Sequence, residues 1–165
     1  MILDLSSILN FEGKTMALEK ELDFAKDNDA GLIFEGVVKV SGTVSNVGGS
    51  LELSAKVEAT VVHQCDRCCE EFSREFSCNF EERLLKEDFH TESAENPDAI
   101  YFKGTSVDLG EIVLNNIILC LPLKNLCKDD CLGLCPVCGK NLNHGGCDCD
   151  SRTTDPRFDI LDKLL

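Results

Sequence analysis

The sequence predicts an α+β fold, mainly an antiparallel β-meander or small barrel with one covering helix, followed by a cysteine-rich tail. Three observations predict this architecture: a long two-residue alternation of apolar and polar side chains, one helical apolar pattern after it, and six cysteines within residues 127–149. The length of 165 residues suits one compact domain with a small appendage. We expect a β-rich domain with the helix over residues 1–125, and the tail with a short C-terminal helix over residues 126–165.

Residues 1–30 carry a weak apolar pattern and predict only a short edge element followed by a connection. The clear signal begins after Phe34 and surrounds the turn Val47-Gly48-Gly49-Ser50, where a glycine pair suits a two-residue hairpin. Beyond this turn the apolar side chains fall at odd positions: Leu51, Leu53, Ala55, Val57, Ala59 and Val61. Such alternation is typical of a half-buried antiparallel strand.

Two further runs extend the predicted sheet. Apolar side chains alternate between residues 72 and 80, and residues 99–102 form a short apolar run. The stretch between them, residues 86–98, is rich in acids, and it predicts a solvated loop.

One amphipathic helix is predicted after the sheet. Asp108, followed three residues later by Glu111, has the pattern of a helix N-cap. The apolar residues that recur at helical spacing are Leu109, Ile112, Val113, Ile117, Cys120 and Leu121. Pro122 ends this run. The short C-terminal helix is expected to have Asp155 as its cap and Pro156 in its first turn.

The chain is acidic, with 30 Asp and Glu against 16 Lys and Arg and a formal net charge of −14. A surface of this sign opposes the binding of nucleic acid through bulk charge. The acidity is uneven, because residues 66–100 hold 11 acids and 4 bases, whereas residues 120–165 hold 7 acids and 6 bases. The nearly neutral tail is therefore compatible with a local basic patch.

The composition predicts a cytoplasmic protein with no membrane partner. The first residues lack the basic segment and apolar run of a signal peptide, and no apolar run has the length of a membrane span. In a reducing compartment, clustered cysteines are more often metal ligands or redox centres than disulfides. The sequence contains no P-loop or dinucleotide motif and no acid-base pair, so we expect neither an enzyme nor a small-molecule substrate.

The tail predicts one structural Zn²⁺ ion. The run Cys135-Pro136-Val137-Cys138-Gly139 has the spacing of a zinc knuckle, in which two thiolates bind one ion from a tight turn. A tetrahedral site needs a second pair; we favour Cys147 and Cys149, and Cys127 and Cys131 are the alternates. Reduced thiols packed as small apolar side chains fit poorly, since this stretch has few other apolar residues.

Another cysteine pair, Cys65 and Cys68, lies at the end of the predicted long strand. It could supply half of a second metal site, completed by Cys69, His63 or the tail, or it could hold two buried thiols at a strand turn. A thioredoxin-like redox role is disfavoured, because that chemistry uses a thiol at a helix N-terminus and the surrounding pattern is that of a strand.

Several separated motifs resemble the YceD family, also called the large ribosomal RNA subunit accumulation proteins. They are Cys65-Asp66-Arg67-Cys68 followed by Glu71-Phe72, Val107-Asp108-Leu109, the run 117–123, the run 133–139, Cys147-Asp148-Cys149 and Asp155-Pro156-Arg157-Phe158. The resemblance extends from about residue 37 to the end of the sequence. It implies a small, cytoplasmic, non-enzymatic protein that supports the accumulation of large-subunit (23S) ribosomal RNA.

A protein of this kind is expected to bind ribosomal RNA or ribosomal proteins. The expected contacts are the cationic side chains of Arg67, Lys140, Arg152 and Arg157. The alternative function is a zinc-thiolate redox switch, in which oxidation of the cysteines expels the metal. This alternative depends on the surplus of six thiols around a site that needs four.

Overall fold

The computed structural model describes residues 1–24, 31–87 and 97–149. These residues are mostly β structure. In chain order the elements are β1 Ile2–Asp4, α1 Ser6–Leu9, β2 Thr15–Leu22, β3 Ile33–Phe34, β4 Val38–Val47, β5 Ser50–Gln64, β6 Glu71–Lys86, β7 Ala99–Phe102, β8 Ser106–Asp108, α2 Leu109–Cys120 and a 3₁₀ helix at Leu142–His144. The predicted C-terminal helix and residues 88–96 of the predicted acidic loop lie outside the described residues.

The chain divides into two compact units. The first contains Met1–His63 and Ser73–Leu123, and it holds the large sheet. The second contains Gln64–Phe72 and the chain from Lys124 onward, so the segment with Cys65 and Cys68 belongs to the same unit as the tail. The division into domains expected from the sequence stays a prediction. Among the described helices, none is long and apolar enough to cross a membrane.

The large sheet has the strand order β2-β4-β5-β6-β7, with β3 paired to β5, and it curls into a half-barrel. The predicted hairpin is confirmed: Val47 pairs with Ser50, and Gly48 and Gly49 between them have φ angles of 60° and 88°. Only glycine adopts two consecutive positive φ angles easily, which is why this pair forms the tight turn.

The core follows the predicted alternation along β5. The odd positions from 51 to 61 are all buried: Leu51, Leu53, Ala55, Val57, Ala59 and Val61. They share one apolar cluster with β4 residues and with the buried face of α2, which comprises Leu109, Ile112, Val113 and Ile117. That α2 covers the sheet stays a prediction.

The predicted helix boundaries are confirmed. The Asp108 side chain accepts hydrogen bonds from the backbone N–H groups of Gly110 and Glu111, at 2.9 and 3.4 Å. Leu121 is the C-cap, immediately before Pro122. The cap and the proline therefore fix the two ends of α2.

Three features differ from the sequence prediction. The segment expected to be a connection contains β2, which pairs with β4 along its full length. β7 forms at the predicted residues but runs parallel to β6, with Arg83 opposite Ala99, so the sheet is not purely antiparallel. β1 pairs with β8 in a separate two-stranded sheet. Each difference depends on which distant segments pair with each other. The local alternation of apolar and polar side chains does not determine this pairing.

Candidate metal centres

The eleven cysteines of the chain comprise two clusters of four, one disulfide pair and one single thiol. Eight form two groups of four, which we call the earlier cluster (Cys65, Cys68, Cys127, Cys131) and the later cluster (Cys135, Cys138, Cys147, Cys149). Within each cluster all four sulfur atoms lie within 4.8 Å of one another. Cys78 and Cys120 are joined as a disulfide, and Cys69 is an exposed thiol outside both clusters.

The later cluster is built on the predicted knuckle. The backbone N–H of Cys135 donates to the carbonyl of Lys140 at 2.8 Å, and the N–H of Gly139 donates back to the carbonyl of Cys135 at 2.9 Å. Gly139 has a φ of 73°, which lets the chain reverse direction directly after Cys138. The N–H of Val137 donates to the Cys135 sulfur at 3.4 Å. The knuckle therefore presents two sulfurs on one side of a rigid turn.

The earlier cluster contains a turn with the same hydrogen bonds. The N–H of Cys65 donates to the carbonyl of Glu70, and the N–H of Cys69 donates to the carbonyl of Cys65, both at 2.9 Å. Cys69 has a φ of 59° and is the one non-glycine residue with a positive φ in the described part of the chain. It takes the place that Gly139 has in the later knuckle.

Hydrogen bonds fix this turn against the first residues of the tail. The Arg67 guanidinium donates to the carbonyl of Cys131 at 2.8 Å, and the Arg67 carbonyl accepts from the N–H of Leu134 at 3.1 Å. The Asp66 carboxylate accepts from the N–H of Asn125 at 2.6 Å. These bonds place Cys131, which is distant in the sequence, beside the turn that carries Cys65 and Cys68.

Hydrogen-bond donors lower the pKa of at least one thiol in each cluster. Burial raises the pKa of Cys65, but backbone N–H groups, first that of Cys127, outweigh burial and lower this pKa to about 6. In the later cluster the backbone N–H of Cys138 is the main cause that lowers the pKa of Cys135 to about 6. A thiolate, which is the form that binds metal, is therefore accessible near neutral pH in both clusters.

A second thiol in each cluster shifts in the opposite direction. The backbone N–H of Glu70 lowers the pKa of Cys68, but burial and the neighbouring thiols raise it to about 12. The hydrogen bond with Cys138 is the main cause that raises the pKa of Cys149 to about 12. Four thiolates crowded within a few ångströms repel one another, so the last proton is hard to remove unless a cation offsets the charge.

The sulfur spacing matches a tetrahedral four-thiolate site. A tetrahedron with a zinc–sulfur distance of about 2.3 Å has edges of about 3.8 Å. In the earlier cluster Cys65 and Cys131 are 3.8 Å apart, and Cys68 and Cys127 are 3.7 Å apart. Each cluster could hold one metal ion, and four thiolates leave no open position for a reacting water or substrate.

The structure brings together the four residues favoured from the sequence, namely Cys135, Cys138, Cys147 and Cys149. It groups the alternates Cys127 and Cys131 with Cys65 and Cys68 instead. That these residues bind metal stays a prediction.

Two of the four expected RNA or partner contacts lie in the described residues. Arg67 and Lys140 are exposed, and each donates to a backbone carbonyl, Lys140 to that of Gly146 at 2.6 Å. Arg152 and Arg157 lie outside the described residues. Contact of any of the four with RNA or a partner stays a prediction.

Asn143 has a role at the earlier cluster that the predictions from the sequence do not include. Its side-chain amide donates to the Cys131 sulfur at 3.3 Å, and its carbonyl oxygen accepts from the N–H of Leu132 at 3.0 Å. The bond from the Asn143 amide to the sulfur is the main cause that lowers the pKa of Cys131. An amide residue in a glycine-rich loop between two metal-ligand pairs is a signal for such a role, although it does not identify the partner sulfur.

Comparison with known proteins places the chain in a family. The family model described as "Large ribosomal RNA subunit accumulation protein YceD" matches residues 53–165. Three uncharacterized proteins, two from strains of Mycobacterium tuberculosis and one from Mycobacterium bovis, are 27% identical to it over 100 residues. The match covers 60% of this chain and 48% of each relative, so the chain matches about half the length of these proteins. No solved structure matches it. By the family match over more than half its length, the chain belongs to the YceD family.

Proposed function

We propose that the protein is a non-enzymatic biogenesis factor of the large ribosomal subunit, which supports the accumulation or processing of 23S ribosomal RNA in the cytoplasm. The observation that carries this proposal is the family match over residues 53–165. The closed four-thiolate geometry of both cysteine clusters supports a structural rather than a catalytic use of these residues.

The later cluster is proposed to hold one structural Zn²⁺ ion. Zinc favours tetrahedral sites of four thiolates and needs no redox chemistry to remain bound. An iron–sulfur cluster suits the spacing less well, because its thiolates bind different irons and are held farther apart than sulfurs around one ion. Zinc would fix the loop between Cys138 and Cys147, which contains Gly139, Gly145 and Gly146 and has few apolar contacts.

A basic ribosomal protein is the proposed direct partner. The net charge of −14 favours a basic surface and opposes RNA phosphate. Residues 124–149 contain no Phe, Tyr or Trp, and their one aromatic ring, the His144 imidazole, is paired with Glu70, so this part of the tail offers little for base stacking. It does offer exposed apolar side chains, including Leu132 and Val137, which are 65% and 60% exposed. Apolar side chains surrounded by polar ones suit a protein contact.

The grouping of the cysteines supports a structural use of them over the redox-switch alternative. That alternative depends on surplus thiols around a single site, whereas Cys127 and Cys131 group with Cys65 and Cys68. Each of the six tail cysteines is thus a member of a complete set of four.

A depletion experiment tests the ribosomal role. Cells that lack the protein should accumulate less 23S than 16S ribosomal RNA, and the wild-type chain should restore the ratio. A Cys135→Ser/Cys138→Ser chain should fail to restore it, whereas Cys69→Ser, which removes an exposed thiol outside both clusters, should succeed. An unchanged ratio after depletion would refute the role.

A crosslinking experiment identifies the partner class. A tagged chain is crosslinked in cells, either chemically to proteins or by ultraviolet light to RNA. Recovery of ribosomal proteins without RNA supports the proposal, while ribosomal RNA footprints on the tail would replace the protein partner with RNA.

A further inference from the structure

We propose that the earlier cluster is a second zinc site, so that the protein holds two structural Zn²⁺ ions rather than the single ion expected from the sequence. The ligands are the sulfur atoms of Cys65, Cys68, Cys127 and Cys131. This inference rests on the zinc chemistry proposed for the later cluster, and it does not depend on the ribosomal role.

The first argument is the equivalence of the two turns. In each, the first cysteine donates its N–H to the carbonyl five residues later and accepts from the N–H four residues later. In each, the residue after the second cysteine has a positive φ, 59° at Cys69 and 73° at Gly139. A side chain in this conformation is strained, so the surroundings of the turn must hold Cys69 in it.

The second argument is the surroundings of the earlier cluster. Cys65, Cys68 and Cys131 are only 1–3% exposed, yet the apolar side chains packed against them are few, namely Phe72 and Leu126 besides Cys127. Thiols buried merely as small apolar groups would need a larger apolar environment to fix them. A bound ion would stabilise this cluster where apolar packing is sparse, because structural zinc contributes its binding energy directly to folding.

The third argument is the direction of the hydrogen-bond donors. The N–H of Cys127 points to the Cys65 sulfur at 3.4 Å, and the Asn143 amide points to the Cys131 sulfur at 3.3 Å. N–H groups directed at sulfur stabilise thiolate ligands and hold them in place around a metal. The earlier cluster thus has donors to its sulfurs comparable to the Val137 N–H at Cys135 in the later cluster.

A zinc ion in this position would join two distant parts of the sequence. Cys65 and Cys131 are 66 residues apart, and Cys68 and Cys127 are 59 residues apart. The later cluster, by contrast, closes a loop within residues 135–149. The earlier ion would therefore fasten the segment 64–72 to the tail, which the later ion cannot do.

Native mass spectrometry of the full chain, purified with zinc and a reductant, tests this inference by counting ions. We expect two zinc ions on the wild type and one on each double variant, Cys68→Ser/Cys127→Ser and Cys138→Ser/Cys149→Ser. The matched control Cys69→Ser removes the neighbouring exposed thiol and should keep two ions. Because a variant can misfold, the wild type loaded with ¹¹³Cd should also give two cadmium NMR signals in the four-sulfur range.

A wild type with one ion that survives Cys68→Ser/Cys127→Ser would overturn the second site and leave the later site standing. Loss of an ion from Cys69→Ser would overturn the ligand set. A wild type without zinc would overturn the zinc chemistry of both clusters. Failure of the ribosomal role is seen separately, as an unchanged ribosomal RNA ratio in depleted cells with the ion count still at two.

Discussion

Replacing Asn143 by alanine should weaken metal binding at the earlier cluster although Asn143 is not a ligand. The substitution removes the amide donor 3.3 Å from the Cys131 sulfur and the acceptor that holds the N–H of Leu132 at 3.0 Å. Without this donor the pKa of Cys131 rises, and the thiolate is less available to the metal. Loss of such an outer hydrogen bond typically lowers metal affinity about 10- to 100-fold.

The assay counts retained zinc ions by native mass spectrometry over a series of chelator concentrations. The Asn143→Ala chain should lose its first ion at about 10- to 100-fold lower chelator than the wild type. Asn143→Asp should lose it at least as readily, because a carboxylate beside a thiolate adds repulsion in place of a donor.

His144→Ala is the matched control in the same loop. His144 pairs with Glu70 at 2.6 Å, but both side chains are about half exposed or more, and exposed pairs contribute little. We expect its zinc retention to stay within about threefold of the wild type. If Asn143→Ala releases its first ion at the wild-type chelator concentration, the reasoning from the sulfur hydrogen bond is wrong.

Three further substitutions test the fold and the turn. Asn46→Ala should lower the free energy of unfolding in urea by about 1–3 kcal/mol. The reason is that the buried Asn46 amide donates to the carbonyls of Ile8 and Leu9 at 2.8 and 3.0 Å. A smaller loss would mean that water replaces the Asn46 amide as the donor to these carbonyls. Gly42→Ala should cost about 1–3 kcal/mol or prevent folding, since its Cβ would lie 2.2 Å from the Ser54 carbonyl oxygen, and unchanged unfolding would contradict that packing. Cys69→Gly should keep both ions and bind zinc about fivefold more tightly in the chelator assay, because glycine adopts a φ of 59° without strain. Weaker zinc binding would contradict the claim that the turn is strained.

The hairpin and α2 could be predicted because their signals are local. Burial of one face leaves an alternation along β5, and the Gly48-Gly49 pair and the Asp108 cap mark the boundaries directly. β2 has a weaker apolar pattern in the sequence, because it is an edge strand of the large sheet and buries only Leu18 and Leu22, four residues apart. The parallel direction of β7 depends on where the chain returns, which its four residues do not encode.

The later cluster was accessible from the sequence for the same reason, since its ligands lie within one short segment. The earlier cluster combines a pair at residues 65 and 68 with Cys127 and Cys131, whose spacing of four is not that of a knuckle. Its turn is also hard to recognise in the sequence, because Cys69 lies where a knuckle usually has glycine. The assembly depends on tertiary hydrogen bonds such as that from Arg67 to the carbonyl of Cys131, which no local pattern contains.

Metal binding changes the charge that a partner would meet on the tail. Seven acidic and six basic side chains give residues 120–165 a net charge of −1 when cysteines are counted as neutral. Each four-thiolate zinc site adds a net charge of about −2, because four thiolates outweigh one divalent ion. Two filled sites therefore make the unit that contains the tail distinctly acidic, while Arg67 and Lys140 already donate to backbone carbonyls. The near-neutral count is compatible with a tail that touches RNA. With the thiolates of two filled sites included, the electrostatics support the proposed basic ribosomal partner instead.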